Sequence, residues 1–184
     1  MRPWLFHVPW LVFAAWWAVR ALSAARSERV EPSRQRIVSV ALAGAGALFL
    51  LRPPASLCAP LWPTPAALLW AALAIEIAGI AFAITAREYL GALWSGRVTL
   101  KENHRIVRSG PYRFVRHPIY TGVLAAVLGV VLARGTAAGL FGFAFIAAAL
   151  GRKIVAEEAL LCDHFGDAYR SYQREVRALI PGIL

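Results

Sequence analysis

The sequence predicts an all-α integral membrane bundle of about five transmembrane helices, with a cytoplasmic loop and a C-terminal amphipathic helix. The composition is the first reason: 59% of the 184 residues are apolar and only 16% are charged, whereas soluble domains carry about 25% charged residues. The second is a net charge of +10 on so apolar a chain. High hydrophobicity excludes a disordered basic tail or a histone-like protein. A membrane protein with its basic residues on one side is the expected class.

Long apolar runs give the spans, since a helix needs about 20 residues to cross the hydrocarbon core. The runs cover 4–22, 37–51, 66–86 and 118–150. The first is too aromatic, and lacks the basic start and cleavage site, to be a signal peptide. The last is interrupted by Ala-Arg-Gly-Thr at 133–136, so it is predicted to hold two short, tightly joined spans.

Basic residues give the orientation. Of the 20 Lys and Arg residues, 17 fall in 20–36, 87–117 and 151–184, and only Arg2, Arg52 and Arg134 fall on the other side. This asymmetry predicts an N-terminus outside and a C-terminus in the cytoplasm, in an arrangement typical of a bacterial inner membrane protein. A nucleic-acid partner is not expected, because the positive-inside rule alone accounts for the basic surface.

Metal and nucleotide motifs are not found in the sequence. The two cysteines, Cys58 and Cys162, are too few for a disulfide framework, and His104 and His117 have no metal-ligand spacing to a Cys or an acid. P-loop, Gly-x-Gly-x-x-Gly, Gly-x-Ser-x-Gly and His-Glu-x-x-His patterns do not occur. We therefore expect no metal.

The loop at 87–117 ends in a segment that topology does not require. Gly110-Pro111 is a turn signal, and Pro118 suits the first turn of the fourth span. Arg116 and His117 are then expected just before a helix N-terminus, where free N–H groups and the helix dipole favour an anionic group such as a cofactor carboxylate. The alternative is an interfacial anchor, with Arg and Tyr side chains reaching the lipid headgroups.

The tail at 151–184 begins with a predicted amphipathic helix that lies on the membrane or on the cytoplasmic end of the bundle. Lys153 and Glu157 are four residues apart and share one face, while Glu158 falls on a neighbouring face. The pair is expected where the fifth span leaves the lipid, which makes it a candidate site. An ordinary surface ion pair, which contributes little, is the alternative.

Two further residues are notable within the spans. Glu76 is the acidic residue of the third span, and intramembrane carboxylates are costly, so contact with substrate is a hypothesis for it. The alternative is a protonated carboxyl, or one paired with a neighbouring helix. His7 lies near the outer end of the first span, where headgroup contact is expected.

Several segments together resemble the isoprenylcysteine carboxyl methyltransferase family, of which the phospholipid methyltransferases are close relatives. The similarity runs from about residue 66 to the C-terminus. It divides the chain into an N-terminal two-helix membrane region, 1–65, and a methyltransferase core, 66–184. The matching segments are Gly-Ala-Leu-Trp-Ser at 91–95, His-Arg-Ile-Val at 104–107, Ser-Gly-Pro-Tyr at 109–112, Arg-His-Pro-Ile-Tyr-Thr-Gly at 116–122, Glu157-Glu158, Leu161, Phe165-Gly166, Tyr169, Tyr172 and Leu-Ile-Pro at 179–181.

The resemblance implies a membrane methyltransferase that binds S-adenosylmethionine at its cytoplasmic face, between the loop and the tail helix. Lys153 stands where the family has an Arg that faces the substrate, and Arg116 joins it as a candidate catalytic residue. With Glu76, Lys153 is the predicted substrate contact. The implied cofactor contacts are Lys101, His104, Arg105, Ile106, Val107, Tyr112, His117, Pro118, Ile119, Tyr120 and Glu157.

These residue types suit the cofactor and the reaction. A carboxylate can bind the cofactor's ammonium, and aromatic faces attract its sulfonium. Methyl transfer is an in-line displacement that requires alignment and exclusion of water rather than a covalent enzyme intermediate. The predicted acceptor is lipophilic and enters from the lipid bilayer: an isoprenylcysteine-like carboxylate or another small molecule. Phospholipid amine methylation and a non-catalytic membrane scaffold are the alternatives.

Overall fold

The computed structural model describes residues 3–21, 27–30, 33–94, 99–101 and 105–182. The described residues form six α-helices, which agrees with the all-α prediction. A short antiparallel ribbon of β1 (Ser27–Val30) and β2 (Thr99–Lys101) was not predicted, since strands of three and four residues are too short to show an alternating pattern. The helices are α1 (Val8–Ala21), α2 (Ser33–Leu51), α3 (Ala66–Leu90), α4 (Pro118–Arg134), α5 (Ala137–Phe165) and α6 (Asp167–Glu175).

Each predicted span coincides with a helix. Within the described residues, Ala66–Leu93 and Ala137–Phe165 are long and apolar enough to cross a membrane, and Arg36–Leu51 and Pro118–Arg134 are shorter apolar helices. The described structure therefore contains two long candidate spans.

The predicted interruption at 133–136 is a helix boundary. Gly135 ends α4 in the left-handed region, with φ 62° and ψ 30°, a conformation that glycine adopts without steric cost. Thr136 then caps α5, because its hydroxyl accepts a hydrogen bond from the Gly139 N–H at 3.3 Å. The loop before α3 is attached to this turn by Leu61 N–H, which donates to the Gly135 carbonyl at 2.6 Å.

The bundle is built from two closely packed antiparallel helix pairs. Between α3 and α4, a Cβ added to Gly79 would lie 2.5 Å from the Gly122 carbonyl oxygen, and one added to Gly129 would lie 2.5 Å from the Ala72 oxygen. Only small residues permit such a close approach of two helices in a membrane. In the pair of α2 and α5, a Cβ on Gly46 would lie 2.8 Å from the Gly142 oxygen.

The tail is arranged differently from the prediction. Residues 151–165 are the continuous end of α5 rather than the start of a separate amphipathic helix, because nothing between Ala137 and Phe165 breaks the helix. The chain turns at Gly166, whose φ is 56°, and the amphipathic element is the short α6. Tyr169 and Tyr172 form the apolar face of α6, and this face is buried, since each tyrosine has only 3% of its surface exposed.

Candidate active site

The bundle has two chemically different ends. We call the end formed by the C-termini of α3 and α5 and the N-terminus of α4 the loop end, and the end that carries 52–65 and the Gly135 turn the turn end. The predicted loop and tail residues meet at the loop end.

The segment after α6 is bound along the strand-like residues before α4. Val115 and Arg177 form a parallel bridge, and the N–H groups of Arg116 and His117 donate to the carbonyls of Arg177 and Ala178 at 2.8 and 3.0 Å. The Thr121 hydroxyl donates to the Leu179 carbonyl at 2.8 Å. These bonds bring residues about 60 positions apart in sequence into one layer over the end of the bundle.

Arg116 is bound by the tail and does not extend toward the headgroups. Its Nε and Nη2 atoms each lie 2.7 Å from Glu158 Oε1. Its Nη1 donates to the carbonyls of Gln173, at 3.1 Å, and Val176. Only 10% of the side chain is exposed, so the interfacial-anchor alternative does not describe this arginine.

His117 precedes α4, as predicted, and lies between two carboxylates. Its Nε2 is 3.1 Å from Glu158 Oε1, and its Nδ1 is 3.4 Å from Glu157 Oε2. Burial by itself would lower the pKa of His117, but the hydrogen bonds to Glu157 and Glu158 outweigh it and raise this pKa above 6.5. An imidazole with a carboxylate at each nitrogen is best satisfied when it carries two protons.

Tyr120 and Glu157 complete the cluster. The Tyr120 hydroxyl donates to Glu157 Oε1 at 2.6 Å, and the Tyr120 ring is stacked on the His117 ring with centroids 5.6 Å apart. The Lys153 ammonium lies 5.5 Å from the Tyr120 ring centroid. We call Arg116, His117, Tyr120, Glu157 and Glu158 the charged cluster.

Glu158 is the member that sequence reasoning left out of the site. Besides Arg116 and His117, it accepts a hydrogen bond from Gln173 Nε2 at 2.9 Å. Glu157 and Glu158 are adjacent on α5, so their side chains point about 100° apart. Both carboxylates nevertheless find partners, because α4 and α6 lie on either side of the end of α5. The available signal was charge balance, because Glu157 alone cannot neutralise both Arg116 and His117.

Other predicted cofactor contacts are placed around this cluster. Ile119 and Tyr112 are buried in an apolar core with Ala86, and Val107 packs against that core. The Tyr112 carbonyl accepts a 2.5 Å hydrogen bond from the Tyr172 hydroxyl. Of the remaining predicted contacts, Pro118 is buried, Ile106 is half-buried and Arg105 is exposed. His104 and the side chain of Lys101 lie outside the described part of the structure.

Glu76 is not part of the cluster. It is fully buried in α3, where its backbone and Cβ face Gly129 of α4. Eleven residues separate Glu76 from Arg87 near the end of α3, a rise of about 16 Å along the helix. Among the described residues neither of its carboxylate oxygens has a hydrogen-bond partner. Contact between Glu76 and a substrate stays a prediction.

Arg87 is a further buried ionisable residue, although it was predicted to begin the polar loop at 87–117. Only 1% of its surface is exposed. Its guanidinium donates to the carbonyls of Gly91 and Arg20 at 2.7 and 2.9 Å and lies 4.4 Å from the Trp94 ring centroid. Arg87 thus joins the end of α1 to the end of α3 beside the core that supports the cluster.

Comparison with known proteins gives the family. The model of the isoprenylcysteine carboxyl methyltransferase family matches residues 71–163, a range that contains every member of the charged cluster. This family consists of integral membrane proteins that use S-adenosylmethionine. Within the described part of the chain, no group of three His, Cys, Asp or Glu residues could hold a metal ion, and the expectation of no metal stays a prediction.

Three curated relatives match over parts of their length. A protein-S-isoprenylcysteine O-methyltransferase of Schizosaccharomyces pombe is 34% identical over 94 residues, or 50% of this chain and 40% of that protein. Methanethiol S-methyltransferase 1 of Bradyrhizobium diazoefficiens is 41% identical over 70 residues, 38% of this chain and 24% of that protein. A protein-S-isoprenylcysteine O-methyltransferase of Dictyostelium discoideum is 29% identical over 84 residues, 45% of this chain and 35% of that protein.

The matches thus span at most 40% of the length of these relatives. They fall on both carboxyl and thiol methyltransferases, and the family model covers half of the present sequence. The resemblance predicted from the loop and tail motifs is confirmed, and the chain belongs to the isoprenylcysteine carboxyl methyltransferase family.

Proposed function

We propose that this chain is an integral membrane methyltransferase that moves a methyl group from S-adenosylmethionine to a lipophilic acceptor. The charged cluster carries this proposal. It joins the two segments that the sequence singled out, and it holds a partly exposed carboxylate beside stacked aromatic rings. A bundle that only had to span a membrane would have no need to bury two carboxylates, an arginine and a histidine together.

The residues of the cluster fit the proposed cofactor. The Glu157 side chain is 21% exposed. Besides its contacts with Tyr120 and His117, its carboxylate can therefore accept a hydrogen bond from an ammonium group. The neighbouring ring of Tyr120 offers a π-face suited to a sulfonium. S-adenosylmethionine, when bound, supplies the electrophilic methyl group. We propose that Glu157, Tyr120 and His117 bind it, together with the other predicted contacts of the loop.

The chain's own residues act by binding and alignment. His117, protonated between Glu157 and Glu158, fixes the directions of both carboxylates. Arg116 has its donors engaged by Glu158 and two tail carbonyls, so we propose it as a positioning residue rather than as one that meets substrate. Lys153, beside Tyr120, is the proposed contact for an acceptor anion. The docked tail excludes water from the groups it covers.

The electrostatics favour an acceptor that is already anionic. A carboxylate needs no base at neutral pH, and a thiol needs only a modest lowering of its pKa. An amine must first lose a proton, and the imidazole of the cluster is held in its protonated form. We therefore propose a carboxylate or thiolate on a lipophilic molecule, the classes named for the curated relatives, in preference to a phospholipid amine.

We further propose five spans, with the loop end at the cytoplasmic face of a bacterial inner membrane. The cofactor then reaches the cluster from the cytoplasm, and the acceptor reaches it from the bilayer. Two long and two shorter apolar helices support this arrangement, as does the position of 17 of 20 basic residues.

Cofactor binding by the Glu157→Gln variant tests the proposal. We expect calorimetry on the purified protein in detergent to show S-adenosylmethionine binding that weakens about tenfold to a hundredfold in this variant, since a hydrogen bond to a charged group is lost. The matched control is Glu175→Gln, which removes a carboxylate of α6 that is 57% exposed and should bind as the parent does.

Two results would contradict the proposal. One is no binding by the parent protein at millimolar cofactor, which would favour the non-catalytic scaffold. The other is an equal loss in both variants. Incubation with methyl-labelled cofactor and fractionated host lipids then identifies the acceptor.

A further inference from the structure

A cavity of about 600 Å³ opens at the turn end of the bundle, away from the charged cluster. This volume lies within the range of about 300–1,000 Å³ that small-molecule sites occupy. Along α4, Tyr120 of the cluster is seven residues, or about 10 Å, from Val127, the lining residue of this helix nearest to it, and about 21 Å from Arg134, and no member of the cluster lines the cavity. The cavity is therefore not a part of the charged cluster.

The lining residues about one turn or more inside the helices, which we call the floor, are apolar and come from four helices. Ala47 of α2, Leu69 of α3, Val127 and Val130 of α4, and Ile146 of α5 line it. These side chains have no hydrogen-bonding groups, so the floor suits a hydrocarbon chain.

The lining residues at or beyond the helix ends, which we call the mouth, include polar and basic side chains. His7, Thr64 and Arg134 line it together with Phe6, and Arg134 is half-buried. The described residues place no ion pair and no side-chain hydrogen bond on Arg134. A cation that is partly withdrawn from water without a counter-charge is costly unless an anion meets it.

None of the described residues that line the cavity is acidic. Glu76 of α3, whose backbone and Cβ face Gly129 between the lining residues Val127 and Val130, is not among them. A counter-charge for Arg134 would therefore be supplied by a ligand.

We propose that this cavity binds an anionic phospholipid, with an acyl chain in the apolar floor and the phosphate at Arg134 and His7. The apolar floor matches the acyl chain of such a lipid, and the cationic mouth matches its phosphate. It lies at the end opposite the charged cluster, so this lipid is distinct from the methyl acceptor. The inference needs the bundle to lie in a bilayer but does not depend on methyl transfer.

Native mass spectrometry of the full chain tests this proposal. The protein is purified in detergent and mixed with phosphatidylglycerol, or with phosphatidylcholine of the same acyl chains. We expect the parent to retain phosphatidylglycerol about fivefold more strongly, and Arg134→Gln to lose this preference, since one arginine at an anionic lipid contributes about this factor. Arg134→Lys should keep the preference. Arg52→Gln, the control, removes an exposed arginine of the same end that does not line the cavity and should also keep it.

A second variant tests the floor. Ala47→Phe fills the cavity without changing its charge, and we expect it to lose retained lipid while its helical circular dichroism is unchanged. Arg134→Gln itself is not essential: if it does not fold, the site is still supported when Ala47→Phe loses the bound lipid and Arg134→Lys retains phosphatidylglycerol in preference to phosphatidylcholine.

Four outcomes would overturn the proposal. They are equal retention of the two lipids by the parent, equal loss in Arg52→Gln and Arg134→Gln, full retention in Ala47→Phe, and inorganic phosphate alone raising the melting temperature as much as phosphatidylglycerol does. The last would assign the mouth to free phosphate.

Discussion

Glu157 and Glu158 are neighbours in the sequence but have different surroundings in the folded chain. Glu158 accepts from Arg116, His117 and Gln173, so its oxygens are used within the protein. Glu157 accepts from Tyr120 at 2.6 Å and has His117 Nδ1 at 3.4 Å. This difference supports Glu157 as the ligand-binding carboxylate and Glu158 as the group that holds the arginine and the histidine.

His117 makes stability depend on pH. Its pKa is higher in the folded chain than the ordinary value of 6.5, so the protonated imidazole stabilises the fold. This contribution is complete below about pH 6.5 and is lost as the pH rises through the higher folded-state pKa. We expect the melting temperature to fall as the pH rises above about 6.5, and to fall less in His117→Gln.

His164→Gln is the matched control for this measurement, because His164 is exposed at the end of α5. It should keep the pH dependence of the parent. A parent-like slope in His117→Gln would show that other groups cause the effect.

At the scale of elements, the docking of α6 and the segment after it assembles the site. The Tyr172 hydroxyl donates to the Tyr112 carbonyl, and the Arg108 guanidinium lies 5.1 Å from the Tyr172 ring centroid. Arg108 also donates to the Ala168 carbonyl at 2.8 Å. The tail thereby fixes the loop that carries Arg116 and His117, so the cluster requires α6 although α6 supplies none of its members.

We expect Tyr172→Phe to loosen this docking. The substitution leaves the buried Tyr112 carbonyl without its donor, at a cost of about 1 kcal/mol. Limited proteolysis should then cut the C-terminal segment several times faster than in the parent, by about the fivefold that this energy represents.

Tyr89→Phe removes a hydroxyl from a side chain that is 50% exposed and should be cut at the parent rate. If cleavage of Tyr172→Phe is no faster than that of this control, the tail is held by other contacts.

At the scale of the whole molecule, the two native cysteines report the orientation. Cys58 is exposed in the loop at the turn end, and Cys162 is half-buried near the end of α5, at the loop end. The proposed topology places them on opposite sides of the membrane, since an odd number of spans separates them.

We expect a membrane-impermeant thiol reagent to label Cys162→Ser, which retains Cys58, in intact spheroplasts. Cys58→Ser should be labelled only after lysis, because its remaining thiol faces the cytoplasm. The reverse pattern would invert the topology, and labelling of both variants before lysis would contradict five spans.

Local signals in the sequence determined much of the fold. Apolar runs located the five longest helices, and Gly135 with Thr136 marked the boundary between α4 and α5. Pro118 marked the start of α4, since proline suits a first turn that needs no N–H donor. Four of the five members of the charged cluster were also readable, because Arg116, His117, Tyr120 and Glu157 stand in motifs with the family's spacing. Helix boundaries and apolar runs depend on only a few neighbouring residues, and for this reason they can be predicted from the sequence.

Only the tertiary structure decided how these pieces interact. The pairing of Glu158 with Arg116 spans 42 positions, and the burial of Arg87 depends on the position of α1. The cavity at the turn end arises where several helices fail to fill the space between them. Such features depend on the angles and contacts of helices that are distant in the chain, and no local pattern specifies those. The sequence by itself indicated a membrane protein, located the helices and identified the family, and the packing of those helices determined which charges meet.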